Sequence, residues 1–322
     1  MSVAIVSSAH IVGLSANHVS VEVDVSQGMY NFSIVGLPDK SIDESKDRII
    51  AALKNTHLKN PKSESHKVTV SLAPADIKKE GSQFDLPIAL AYLSASKQIN
   101  KDLKDKWFVG ELSLTGEIQP LQGILSIAEC AKEKGAKELF VPEKNKEEAA
   151  LVDGIIVYGC KNLEEVTKHF GGLIDVEGID VFSLKETSPT EITYSRPDFF
   201  LDFKDILGQE TAKRAMEIAA VGGHNIALFG PPGTGKTMLA RAFTGILPSL
   251  TKEEVFETTR IHSIANKATN LVTHPPFRSP HHTSSYVSLV GGGANPRPGE
   301  VTLAHLGVLF LINVPQYTKV CL

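Results

Sequence analysis

One octapeptide limits what this chain can fold into. Gly230-Pro-Pro-Gly-Thr-Gly-Lys-Thr237 follows an apolar run, residues 224–229 (HNIALF), and precedes residues 238–243, whose composition suits a helix. Strand, glycine-rich turn, then helix is the order that a phosphate-binding loop requires. Gly230, Gly233 and Gly235, with Thr234 between them, let backbone N–H groups close around an anion, and the helix start adds its positive dipole end. Lys236 is placed to reach the β- and γ-phosphates of a nucleotide, and the Thr237 hydroxyl to hold Mg²⁺.

Hydrolysis needs more than binding. A nucleotide hydrolase of this type carries a second strand ending in an acidic residue that holds the metal, with a neighbour that activates the attacking water. Residues 307–311 (GVLFL) suit that strand, but Ile312 and Asn313 stand where two carboxylates are expected. No catalytic residue is assigned, and turnover is expected to be severely impaired. The sequence ends at Leu322, so the expectation is a module cut short near this strand.

With 322 residues, 42% hydrophobic and 22% charged, two domains with ordinary globular cores are accommodated. The net charge of −4 is unevenly spread: residues 201–322 carry 11 Lys/Arg against 8 Asp/Glu, and residues 1–200 carry 22 against 29. That asymmetry supports nucleic-acid contact by the later part only weakly. Cys130, Cys160 and Cys321 have neither disulfide nor zinc spacing, which fits free thiols in a reducing compartment. The N-terminus lacks a basic segment and a long apolar core, and no apolar run reaches bilayer length. A cytoplasmic protein without membrane contact is expected.

Along the first part, Val19, Val21, Val23 and Val25 recur at period two, and residues 31–35 and 67–72 also read as strands. Ser41-Ile-Asp-Glu44 reads as a capping box opening a helix with Ile42, Ile49, Ile50 and Leu53 on one side. A helix over 87–94, a hairpin over 107–121 turning at Gly116, and alternating helix and strand signals to Tyr158 follow. Asn162-Leu-Glu-Glu165 is a second capping box, for a helix ending near Gly171-Gly172. The resulting division is a mixed α/β domain over 1–175, a linker over 176–200, and a nucleotide-binding domain over 201–322, helical after Gly208. Residues 271–300, rich in Pro, Gly, His and Ser, read as a functional loop.

Several longer stretches carry a family resemblance. Ser33-Ile-Val-Gly-Leu-Pro-Asp39, Ser71-Leu-Ala-Pro-Ala-Asp-Ile-Lys-Lys-Glu-Gly81 and Phe84-Asp-Leu-Pro-Ile-Ala-Leu90 resemble the N-terminal domain of the bacterial magnesium-chelatase-like AAA+ family of ComM and YifB. Gly208-Gln209, Gly222-Gly-His-Asn225, the octapeptide, Pro276-Phe-Arg-Ser-Pro-His-His-Thr283 and Gly291-Gly-Gly-Ala-Asn-Pro-Arg-Pro-Gly-Glu300 resemble its AAA+ core.

The resemblance implies an α/β fold in two parts: a Lon-protease-like (ribosomal S5 domain 2-like) domain, then a partial P-loop AAA+ α/β/α module. It implies ATP and Mg²⁺ as cofactors, hexamers, and single-stranded or branched DNA as partner in a branch-migrating ATPase. The carry-over holds for Gly230, Gly233, Gly235, Lys236 and Thr237 and fails at Ile312 and Asn313. By the same resemblance, the Lon nucleophile position aligns with Gln83, beside Ser82, and Gly123-Ile-Leu-Ser-Ile127 lacks the catalytic lysine, so this domain is expected to bind or support rather than cleave. Alternatives are the motor subunit of a porphyrin magnesium chelatase and a non-enzymatic DNA-binding or interaction module.

Other positions have local alternatives. His281-His282 suits a polar loop better than a metal site, because adjacent side chains diverge and no Cys or carboxylate lies at ligand spacing. Arg278 and Arg297 suit a phosphate backbone, a neighbouring subunit or plain exposure. Lys78-Lys79 reads as a solvated face.

Overall fold

The computed structural model describes residues 2–37, 39–75, 79, 81–172, 182–194, 201–265, 271–292 and 297–312. They form two compact units, residues 1–191 with 266–268 and residues 192–265 with 269–322.

The first unit is built on β1 (Ser2–Val12), β2 (Ser15–Gln27), β3 (Asn31–Val35), α1 (Lys40–Asp43), α2 (Ser45–Asn55), β4 (His66–Ala73) and α3 (Asp85–Ala95). It continues with β5 (Lys106–Phe108), β6 (Glu111–Leu112), β7 (Ile118–Gln119), α4 (Ile124–Glu133), β8 (Glu138–Pro142), α5 (Lys146–Ala149), β9 (Ile156–Cys160) and α6 (Leu163–His169). Seven strands join in the order β3-β4-β2-β1-β5-β8-β9. The β1–β2 and β2–β4 pairs are antiparallel, and β3–β4, β1–β5, β5–β8 and β8–β9 are parallel. This is the mixed α/β architecture expected.

The period-two valines work as the alternation predicts. Val19, Val21 and Val23 are buried with Val68, Val70 and Leu72 of β4 beneath α3, whose Leu86, Ile88, Leu90 and Leu93 are fully enclosed. Phe108, Phe140 and Tyr158 extend that core, the first two stacking at 4.7 Å. The alternate residues Trp107, Leu139 and Val157 face the other side of the sheet, where α4 and α5 pack. Cys130 and Cys160 are buried free thiols, and burial pushes both up from their ordinary range.

Four local expectations are corrected. Residues 2–12, read only as lacking leader features, form the long strand β1; its inward positions Ala4, Val6, Ser8 and His10 are too small or polar to show a clear pattern. Ser41 is not the helix cap: Asp39 Oδ1 accepts the Ile42 N–H at 2.9 Å and the Ser41 hydroxyl at 2.8 Å. Trp107 belongs to the large sheet through β5, and only β6 and β7 make the short hairpin. Residues 182–190, read as linker, are tied to the first unit. There the Leu184 N–H donates to His169 Nδ1 at 3.0 Å, Thr187 N–H to Val157 O at 2.8 Å and Thr190 N–H to Ala150 O at 3.0 Å. Asn162 does cap α6, accepting the Glu165 N–H at 2.8 Å.

The second unit contains α7 (Glu210–Gly222), α8 (Lys236–Phe243), α9 (Lys252–Ala265), β10 (Phe277–Arg278), α10 (Tyr286–Val290), β11 (Gly291–Gly292), β12 (Arg297–Pro298), α11 (Glu300–Leu303) and β13 (Val308–Leu309). A small core of Phe203, Ile206, Met216, Leu239 and Ala242 joins the turn after Asp202 to α7 and α8. Parallel pairing here consists, among the described residues, of β10 with β13. Residues 224–229 are neither helix nor strand and have no ladder partners among the described residues, and Phe229 is 94% exposed. Pairing, not local propensity, turns an apolar run into a strand, and this run has the propensity alone.

Candidate functional site

The glycine-rich loop over 230–237 is set by the helices around it. Gly223, left-handed at φ +62°, ends α7, and its neighbour His224 donates its N–H to Ala219 O at 3.0 Å. After the loop, buried Leu239, Ala240 and Ala242 hold α8 against the core, so its first turn starts at a fixed place. Helix α8 begins at Lys236, two residues earlier than the sequence pattern indicates.

Within the loop, Gly233 and Gly235 take φ +83° and +81°. No atom lies within 4 Å of a Cβ added at either, so the demand for glycine is one of backbone conformation, not space. Left-handed residues between right-handed ones turn successive N–H groups toward one centre, the arrangement that cradles anions.

The Lys236 ammonium bends back over this loop, donating to Gly230 O at 2.8 Å, Pro231 O at 2.6 Å and Thr234 Oγ1 at 3.4 Å. Thr234 in turn donates to Pro231 O at 3.0 Å. One cation thus gathers Gly230, Thr234 and the loop's turn, on a solvent-facing surface that a ligand can reach. The Thr237 hydroxyl, in the first turn of α8, makes no hydrogen bond to a described residue. Gly230, Gly233, Thr234, Gly235 and Lys236 therefore fit a polyphosphate, and Thr237 fits a metal ion carried by it.

Other candidates fall differently. Ile312 is 39% exposed and follows β13, which pairs with β10 and not with residues 224–229; Asn313 lies outside the described residues. Arg278 forms a bidentate ion pair with Glu300, at 2.6 and 2.7 Å, which braces β10 against α11 and engages its guanidinium. Arg297 is exposed on β12. The His281 and His282 rings lie 4.2 Å apart, and His281 Nδ1 meets Thr283 Oγ1 at 2.7 Å.

In the first unit, Lys79 overturns the solvated-face expectation. It is fully buried with its ammonium donating to the Pro74 carbonyl, while Lys78 lies outside the described residues. Gln83, at the position that aligns with a nucleophile, contacts His10 Nδ1 through its amide at 3.2 Å. Sequence reasoning missed Asp85. This residue, inside the Phe84–Leu90 motif, is fully buried and accepts Arg48 Nε at 2.7 Å, Arg48 Nη2 at 3.0 Å and Leu112 N–H at 3.1 Å. A carboxylate at the start of an otherwise apolar helix was the available signal.

The chain thus combines a mixed α/β first unit with a second unit that carries a P-loop-type glycine-rich turn at the start of α8. A family model described as "Magnesium chelatase, subunit ChlI" matches residues 202–322, and one described as "Subunit ChlI of Mg-chelatase" matches residues 21–145. Among curated relatives, "Competence protein ComM" of Haemophilus influenzae is 42% identical over 99% of this chain and 62% of its own length. YifB of Escherichia coli, named as uncharacterized, is 40% identical over 99% of this chain and 61% of its own. "Lon protease 2" of Bacillus subtilis is 30% identical over 94 residues, 29% of this chain and 17% of that protein. The chain belongs to the magnesium-chelatase-like family of ComM and YifB. It spans about three fifths of the length of those two relatives.

Proposed function

We propose that this chain binds ATP·Mg²⁺ through Gly230, Gly233, Thr234, Gly235, Lys236 and Thr237, and that its family uses this site to drive DNA remodelling. The observation that carries the binding step is the Lys236 ammonium poised on the loop carbonyls beside two left-handed glycines. An arriving polyphosphate offers that cation stronger, charged acceptors, while the loop N–H groups and the first turn of α8 take the remaining anionic oxygens. Thr237 would help to hold a Mg²⁺ ion carried by the nucleotide, which would supply charge neutralisation.

Turnover by this chain is proposed to be poor. Ile312 and Asn313 offer no carboxylate to the metal shell or to an attacking water. The name of the Haemophilus relative, "Competence protein ComM", supports a role in competence. The family resemblance adds, as part of this proposal, branched or single-stranded DNA as partner, hexamers as the family's working form and the cytoplasm as its place. No helix among the described residues is long and apolar enough to cross a membrane.

The test is a calorimetric titration of the 322-residue chain with ATP·Mg²⁺ beside a phosphate-release assay. Saturable binding that Lys236→Ala abolishes, with turnover at background, is expected. Absence of binding overturns the site, and ordinary turnover lost in Lys236→Ala overturns the impaired chemistry. The names of the matched family models keep a porphyrin magnesium chelatase motor as the second reading. Protoporphyrin-dependent metal insertion with partner subunits would favour it.

A further inference from the structure

A cavity of about 520 Å³ opens in the first unit, among β1, β2, β5, the loop 102–105 and the end of α4. Its size is that of small-molecule sites. The polar groups lining it are mainly donors. Trp107 is only 3% exposed, yet its indole N–H donates to no described residue. The His18 ring lies 4.8 Å from the indole and its Nε2 meets Ser7 Oγ at 3.1 Å. Lys104 and Lys134 bring two ammonium groups to the same cavity, with no ion pair to a described residue.

Two carboxylates also line the cavity: Asp105 pairs with Lys137 at 3.0 Å, and Asp102 accepts the Lys104 backbone N–H at 3.0 Å. Ile5, Leu103 and Ala136 supply an apolar wall. An indole N–H that faces the cavity, a hydroxyl, an imidazole and two ammonium groups around one space suit an anion with several acceptor oxygens. The apolar wall suits a carbon skeleton attached to it.

We propose that this cavity binds the phosphate group of an organic phosphate, independently of the P-loop. Trp107 is the only tryptophan of the chain, so its emission reports on the cavity directly. The experiment uses the full chain carrying Lys236→Ala, which silences the P-loop, titrated with ribose 5-phosphate, with an oligothymidylate and with citrate. Fluorescence and calorimetry are read in parallel. Saturable binding of ribose 5-phosphate is expected, weakened about tenfold by each of Lys104→Gln and Lys134→Gln, with circular dichroism unchanged.

If the oligothymidylate alone saturates and the same lysine variants weaken it, the phosphate recognised is that of a nucleic-acid backbone. Three results overturn the proposal: neither phosphate probe saturating by either readout, citrate binding equally well, or lysine variants binding as tightly as the parent. Because Lys236 is already replaced, none of these outcomes bears on the ATP site.

Discussion

At the scale of single residues, the P-loop rests on two kinds of requirement that substitution separates. Lys236→Ala removes a charge, and nucleotide affinity is expected to vanish while thermal stability changes little, because the ammonium is exposed and contacts only its own loop. Gly235→Ala removes no contact. It forces an L-residue into φ +81°, at a cost of about 1–2 kcal/mol, so affinity and stability of the second unit are expected to fall together. Calorimetry and melting curves on the two variants distinguish these patterns. His169 makes a pH prediction. Burial first, then Lys101, holds its pKa below the ordinary value of 6.5, and its Nδ1 accepts the Leu184 N–H. As pH falls below about 6.5 the unfolded chain takes up the proton before the folded one, so stability present at neutral pH is progressively lost. The melting temperature of the first unit should drop between pH 7 and 5, and His169→Gln should flatten that slope; His18, shifted in the same direction, accounts for part of what remains.

Among elements, the Asp85–Arg48 pair is the clearest tie. It joins α2 to the start of α3 and, through Leu112 N–H, to the β6–β7 hairpin. Removing one partner of a buried pair leaves the other uncompensated, so Asp85→Ala is expected to cost about 3–5 kcal/mol in urea unfolding. The segment 182–190 depends on the His169 acceptor and on Leu184, which is buried in the core of this unit. Limited proteolysis should therefore spare it at neutral pH and cleave it at pH 5. These elements also show what a sequence discloses. The valines of β2 and the Asn162 cap were legible because their signals are local, a period of two and a side chain three residues from its partner. Lys79 was not, since a lysine pair carries no mark of burial even though its acceptor, the Pro74 carbonyl, lies only five residues back, and β1 was not, since Ser8 and His10 occupy inward positions where alternation predicts apolar residues. Most of the P-loop was legible for the opposite reason: its chemistry is written within eight consecutive residues. The lack of ladder partners for residues 224–229 among the described residues and the engagement of Arg278 by Glu300 are tertiary facts that no local window contains.

For the whole molecule, the two compact units have unequal means of support. The first packs a seven-stranded sheet against a large core, whereas in the second the described residues give a small cluster around Met216 and Leu239, with other buried residues such as Val255, Ile261 and Leu289 along the later elements. Differential scanning calorimetry is expected to show two transitions, the lower one belonging to the second unit and rising with saturating ATP·Mg²⁺, because a ligand that binds only the folded state stabilises it by mass action. A single transition unmoved by nucleotide would contradict both the independence of the units and the proposed site. The sealed thiols of Cys130 and Cys160 then acquire a use. A thiol must be both ionised and reachable to be alkylated, and burial denies these two on both counts. In a Cys321→Ser background, their slow labelling by iodoacetamide becomes a clock for how often the sheet of the first unit opens.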